Sequence, residues 1–457
     1  MSALAAGAAR PNFLFFLCDD LGWADVGYNG STFHETPHID RLAASGMKFN
    51  AGYAACSVCS PTRASIMTGK YPARLRLTNF IYGRRGGKLV PPEFEKQMAL
   101  EEVTIAEALK EQGYTTFFSG KWHLGERQFH PDFQGFDVSV CNGPGGPYKG
   151  YQNWRNIRKD PLAVGGYFSP YGNPHLPDGP PGEYLTDRLT DEAIDFMKVN
   201  REKPFFAYVS YHSVHNPLQA RKEDVAYFKK KLERMPKHEG PEFITEWKSK
   251  CRQVQRHPVY AGMIKSIDDN VGKAVAALKE LELADRTVVI FMSDNGGLST
   301  SEGHNTSNLP LRGGKGWSYE GGVREPMIVH WPGVTGPGSE TDEPVISTDF
   351  YPTMLEIAGA PLKPEQHLDG VSFVPLLKGE KKLTRKAIFW HYPHYSNQGG
   401  HPSSAVREGD YKLIEHFEDG SVELYNLKED LGERNDLSEQ MPELAARLKQ
   451  SLEAWRK

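Results

Sequence analysis

The sequence predicts an α/β fold: a large mixed, mostly parallel sheet flanked by helices, plus a smaller C-terminal domain with a short antiparallel sheet and a helix. Three observations carry that expectation. Short, continuous apolar runs such as Asn12 to Cys18 and Thr287 to Met292 fit strands buried on both faces. Amphipathic segments alternate with these runs, as in a sheet covered by helices on both sides. The 457 residues exceed the roughly 250 to 300 at which a single core usually splits, so a main α/β domain is expected over 1–378 and a smaller unit over 379–457.

Taken in order, the first run stops abruptly at Asp19-Asp20, and Ile39 to Met47 reads as a helix. A helix over Thr104 to Gln112 precedes the run Tyr114 to Phe118, which leads into Gly120-Lys121-Trp122-His123-Leu124-Gly125. Cys141 to Glu183 is long, irregular and rich in glycine, proline and aromatics, with Tyr148, Tyr151, Trp154, Arg155, Arg158 and Tyr167. Such a segment forms a lid, a binding loop or an ordered surface loop. After a helix over Tyr184 to Val199, the run Pro204 to Tyr211 leads into His212-Ser213-Val214-His215-Asn216-Pro217. The basic and acidic stretch Arg221 to His257 reads as a solvated helical surface rather than a polyanion track. Ile267, Val271, Val275, Leu278 and Leu281 form one stripe of a helix over Ser266 to Leu283. The next run ends at Asp294-Asn295-Gly296-Gly297, and the glycine-rich Arg312-Gly313-Gly314-Lys315-Gly316 follows. A helix over Ser347 to Gly359 precedes the C-terminal unit, with strands at Ala387 to Trp390, Tyr411 to Ile414 and Glu423 to Asn426 and a helix over Met441 to Trp455.

In open α/β sheets the carboxyl ends of parallel strands border the ligand crevice. Two such ends bring Asp19, Asp20, Asp294 and Asn295 together as oxygen donors for a hard divalent cation, calcium before magnesium. The competing reading is that Asp-Asp and Asp-Asn-Gly merely end strands and open turns. Cys59 has three readings from its residue type: a buried structural thiol, half of a redox or metal pair with Cys56, or a nucleophile. A tyrosine-phosphatase loop is excluded, because only three residues separate Cys59 from Arg63.

Cys59-Ser60-Pro61-Thr62-Arg63, continued through Gly69, resembles the signature at which type I sulfatases, in the alkaline phosphatase superfamily, oxidise a cysteine to formylglycine. Gly120 to Gly125, the histidine before Pro217 and the loop around Lys315 resemble further sulfatase motifs, and the match to His215 leaves His212 outside. The resemblance implies that a maturation enzyme converts Cys59 into an aldehyde whose hydrate is the nucleophile. It implies calcium held by Asp19, Asp20, the modified Cys59, Asp294 and Asn295. A hydrate oxygen suits calcium, whereas a thiolate is a soft ligand. Lys121 and Lys315 then supply positive charge to a sulfate ester, and Arg63 reaches back to fix the hydrate. His123 sits beside the second hydroxyl to regenerate the aldehyde, and His215 is the general acid for the departing alcohol. Thr62 departs from the serine or alanine often found there, leaving the Cys-x-Pro-x-Arg core intact.

The expected reaction is hydrolysis of a sulfate monoester, on a sulfated small molecule or at the end of a sulfated glycan. His304, His391 and His394, with His401, are candidates for contacting the leaving group. The alternatives are a phosphate or phosphonate monoester hydrolase of the same superfamily and a non-catalytic protein that binds sulfated glycans. A net charge of −4 and a pI near 6.5 argue against general affinity for nucleic acid or anionic membranes. No apolar stretch reaches the ~20 residues of a membrane span. The five cysteines form no disulfide framework. Ser2 to Ala9 is alanine-rich but short and uncharged for a signal peptide. The expected location is therefore periplasmic or secreted with the leader absent from this chain, with the cytoplasm as the alternative.

Overall fold

The computed structural model of the chain describes residues 10–143 and 165–457. The alanine-rich start and the aromatic stretch with Tyr148, Tyr151, Trp154, Arg155 and Arg158 lie outside the described residues. In chain order, β1 (Asn12–Cys18) is followed by α1 (Pro37–Ser45), β2 (Met47–Phe49), β3 (Gly52–Tyr53), α2 (Cys59–Thr68), α3 (Ile105–Lys110), β4 (Thr115–Lys121) and β5 (Val138–Gly143). Then come α4 (Leu185–Val199), β6 (Phe205–Ser210), α5 (Lys222–Arg234), β7 (Phe243–Glu246), β8 (Ser249–Arg252), α6 (Pro258–Glu280) and β9 (Thr287–Ser293). The chain continues through β10 (Met327–His330), β11 (Ser339–Thr341), β12 (Val345–Ile346) and α7 (Phe350–Ile357). It closes with β13 (Ala387–Tyr392), β14 (Ser403–Glu408), β15 (Tyr411–His416), β16 (Val422–Asn426) and α8 (Pro442–Arg456).

An eight-stranded sheet runs β11-β2-β10-β9-β1-β6-β4-β5, and only β10 opposes its neighbours. The four apolar runs read from the sequence are its contiguous centre, β9-β1-β6-β4. Their residues are apolar without alternation because both faces are covered. Leu14, Phe16 and Val209 pack against α4 and α6, while Phe13, Phe15 and Leu17 face α3 and α7. A fully buried side chain of this size contributes about 1.5–3 kcal/mol, so these strands form a rigid base for whatever follows their ends.

Local chemistry explains several boundaries. Thr104 accepts from the Glu107 amide while Glu107 reaches back to the Thr104 amide, a reciprocal cap that starts α3. Asp268 of α6 caps α1 from outside, accepting from the His38 and Ile39 amides. Pro258 opens α6 eight residues before Ser266, where the sequence pattern starts the helix, because proline suits a first turn.

The stretch Arg221 to His257 corrects the expectation of a helical surface. α5 fills only its first part, and β7 and β8 form an antiparallel hairpin in the rest. The C-terminal sheet, β13-β14-β15-β16, is antiparallel and is covered by α8. β14 was not expected, since Ser403-Ser404-Ala405-Val406-Arg407-Glu408 is small and polar. It lies between two other strands, and its backbone pairing replaces side-chain hydrophobicity as the reason it forms. Among the described residues no helix is long and apolar enough to cross a membrane.

Candidate active site

The ends of β1 and β9 carry the acidic residues. Past the strands the ladder continues for one step, with the Asp19 amide donating to Ser213 O and the Asp294 amide to Cys18 O, both at 3.0 Å. Those bonds fix the two acidic tips side by side. Asp20 takes a left-handed backbone, φ 61°, a cost of order 1–3 kcal/mol for such a residue, and its Oδ1 accepts from Asn295 Nδ2 at 2.8 Å. Gly120 has φ 103°, and a Cβ there would meet Ser210 O at 1.9 Å. Only glycine lets β4 come that close to β6, which delivers Lys121 to Asp19.

Cys59 is the first residue of α2, and all ten residues of that helix are buried. Its sulfur lies 3.3 Å from His123 Nδ1. One turn on, Arg63 donates from Nε to Asp294 Oδ2 at 2.8 Å and from Nη1 to Lys121 O and Ser210 Oγ at 2.7 Å. Its fork therefore holds Asp294 rather than reaching back to position 59, and it ties α2, β4, β6 and the β9 tip together. Lys121 Nζ pairs with Asp19 Oδ2 at 2.6 Å, and Lys315 Nζ with both oxygens of Asp20 at 2.7 and 2.8 Å. His215 places Nε2 3.8 Å from Asp20 Oδ2 and Nδ1 2.7 Å from Asn216 O. All the sequence-predicted metal and catalytic residues thus converge on one buried cluster.

The cluster sets three carboxylates, Asp19, Asp20 and Asp294, against three permanent cations, Arg63, Lys121 and Lys315. Burial raises the Asp19 pKa to about 8, with Asp294 and Asp20 adding to the rise and Lys121 opposing it. Burial acts on Asp20 too, but Lys315, His215 and Lys121 outweigh it and hold that carboxyl below the usual range. Burial pushes the Cys59 thiol up against the pull of Lys121 and Lys315. His123 and His215 are driven well below their ordinary value, first by burial and then by the neighbouring lysines. Both imidazoles are neutral at pH 7 in this state.

Oxygen donors fit a hard divalent cation here. Asp19 Oδ1 and Asn295 Oδ1 are buried without a hydrogen-bond partner, a state that costs each about 1–3 kcal/mol and that a cation relieves. Ligand atoms of Asp19, Cys59 and Asp294, and of Asp19, Asp20 and His215, lie within 4.8 Å of one another. With all three carboxylates ionised they match the three cations, and a divalent ion, which would favour the ionised form of Asp19, would leave the cluster net positive, as an anionic ester requires.

The substrate-binding candidates are more scattered. His394 is buried with Nε2 2.8 Å from Thr78 Oγ1, and its ring meets Phe94. His391 bonds Ser404 through Nδ1 at 2.7 Å and lines a cavity of about 510 Å³ with Tyr71, Arg74 and Trp455. The structure does not bring it to the acidic cluster. His304 stacks edge-on against Phe243, and His401 packs on Trp247 and Trp317. Sequence reasoning gave no role to Ser210, which closes an apolar run, to Asn216, which stands beside His215, or to Glu302 and Gln398, ordinary polar residues with no motif.

Known proteins resemble this chain over nearly its whole length. The family model described as Sulfatase matches residues 11–360, and one described as N-sulphoglucosamine sulphohydrolase, C-terminal, matches residues 314–457. A sulfatase of Formosa agariphila is 32% identical, over 98% of this chain and 88% of its own. Arylsulfatase A of Homo sapiens is 34% identical, over 91% of this chain and 77% of its own. The crystal structure of Ps i-CgsB in complex with k-i-k-neocarrahexaose superposes with a TM-score of 0.78 at 32% identity, covering 98% of this chain and 93% of that one.

Proposed function

This chain belongs to the sulfatase family and is a sulfuric ester hydrolase, and from that premise we propose that it cleaves sulfate monoesters of a saccharide with formylglycine at position 59 and calcium at the acidic strand tips. The observation that carries the reading is the convergence of Cys59, His123 and the three aspartates in one buried cluster with orphaned oxygens. The saccharide part is supported by the similarity to Ps i-CgsB, whose crystal structure is a complex with k-i-k-neocarrahexaose. A divisible chain, with 1–378 as catalytic unit and 379–457 as appendage, is part of the proposal.

Asp19, Asp20, Asp294 and Asn295 would hold the calcium ion, which supplies divalent charge opposite the sulfate oxygens. Formylglycine supplies, as its hydrate, one hydroxyl for attack on sulfur and a second through which the aldehyde returns. Arg63 keeps Asp294 in place through the hydrogen bond from Nε and the ion pair of its guanidinium. Lys121 and Lys315 carry ammonium donors to the rim of the cluster, where negative charge grows as the ester bond breaks. His123, neutral and in contact with position 59, accepts a proton there. His215 gives a proton to the departing sugar oxygen. Burial and Lys315 hold it neutral in this state, and an arriving anion raises its pKa toward the protonated form the step needs.

Peptide mass spectrometry across residue 59, followed by a panel of defined sulfated saccharides beside an aryl sulfate, tests the reading. The expected result is formylglycine at 59 and turnover of at least one saccharide that tracks the modified fraction. Full activity from chains retaining the thiol overturns it.

A further inference from the structure

Between His215 and Lys315 runs a polar rim that the proposed chemistry does not use. Asn216, next to His215, donates through Nδ2 to the backbone oxygen of Glu302 at 2.7 Å, and Asn305 donates to Asn216 Oδ1 at 3.3 Å. The Glu302 carboxylate accepts through Oε1 from Asn397 Nδ2 and, at 2.5 Å, from Gln398 Nε2. Gln398 and Ser396 in turn pack on Gly316, where a Cβ would meet Ser396 Oγ at 2.0 Å. Glu302 is therefore tied on one side to the neighbour of the general acid and on the other to the neighbour of the sulfate-binding lysine. It is half-buried, holds a left-handed backbone at φ 53°, and its charge acts on Lys315.

The leaving ring has to lie on the side of His215, because that residue protonates the bridging oxygen. Asn216 and the Glu302 backbone bonded to it border that side, and the Glu302 carboxylate with the amides of Asn397 and Gln398 follows along the rim toward Lys315. A carboxylate accepts from hydroxyl groups and has no donor to offer, and it repels a second anionic group set against it. We propose that Glu302 is a specificity-determining residue that selects a leaving sugar whose positions beside the ester carry free hydroxyls and disfavours one bearing a second sulfate there. This rests on the saccharide reading above.

The test compares kcat/KM for two monosaccharides with the same scissile sulfate, one with a free neighbouring hydroxyl and one sulfated at it, with an aryl sulfate alongside. The matured parent is expected to prefer the singly sulfated sugar by about tenfold or more, the scale of a like-charge contact. Glu302→Gln, which keeps the shape and an acceptor for Asn397 and Gln398, is expected to cut that ratio about tenfold, and Glu302→Asp to retain it. An unchanged ratio in Glu302→Gln overturns the proposal. Turnover of the aryl sulfate but of no saccharide instead overturns the reading on which it rests.

Discussion

Two buried charge clusters share the segment from Arg312 to Arg324 and differ in how they are completed. At the strand tips, Lys315 and Lys121 meet Asp20 and Asp19. At the junction with the C-terminal sheet, Lys412 Nζ, wholly buried on β15, pairs with Glu320 at 2.8 Å and Glu433 at 3.0 Å. In each cluster burial drives one carboxyl up, Asp19 to about 8 and Glu433 to about 7, while cations hold its neighbour, Asp20 or Glu320, below the usual range against the same burial. The junction is then held by other groups of the protein. Glu433 accepts from the Glu320 amide at 2.6 Å, Tyr53 and Arg324 bond Glu320, and the rings of Tyr53 and Trp390 lie beneath Arg324, Arg407 and Lys412. Glu433 Oε1 makes no hydrogen bond but lies 3.0 Å from Lys412 Nζ. The strand-tip cluster keeps orphaned oxygens on Asp19 and Asn295, two neutral imidazoles and a polar rim. Burial of charge is common to both; oxygen donors suited to a hard cation, left unfilled beside position 59, are found at the strand tips.

That contrast can be broken by substitution. His215→Ala is expected to lower kcat/KM by about 10²–10⁴-fold on sulfate esters with poor leaving groups and far less on activated aryl sulfates, whose oxygen departs unprotonated. Equal losses on both remove His215 from the acid role. At the junction, Lys412→Met strands Glu320 against Glu433 and is expected to destabilise the fold by about 3–5 kcal/mol, read as a lower denaturation midpoint, with calcium stoichiometry unchanged. A variant that loses calcium but keeps its stability would show that the two clusters are one system.

The sequence made the centre of this molecule legible because strands buried on both faces leave no choice but continuous apolar residues, and their abrupt ends expose the polar residues that follow. Asp19, Asp20, Asp294, Asn295 and Lys121 were readable for that reason. β14 and the β7–β8 hairpin were not, since neither is apolar enough to announce itself among polar and charged neighbours. The Lys412–Glu320–Glu433 group was illegible on the same ground: each residue alone looks like surface charge. Arg63 lies in the strand-tip cluster, yet its partner there was not legible, because sequence spacing shows that an arginine reaches one turn back along its helix but not that a carboxylate from β9 waits beside it. Glycines at 296 and 321 show the same limit. A Cβ on Gly296 would meet Gly321 O at 1.9 Å, a contact between the strand-tip loop and the segment carrying Lys315 that only the fold reveals.

A divalent cation held against position 59 by the acidic strand tips can be sought by calorimetric titration of calcium into chelator-treated, matured protein, beside Asp294→Ala. The expectation is one ion bound per chain, return of sulfatase activity as that site fills, and loss of both in Asp294→Ala. Full activity in the presence of excess chelator, with no calcium bound by the matured parent, would contradict it.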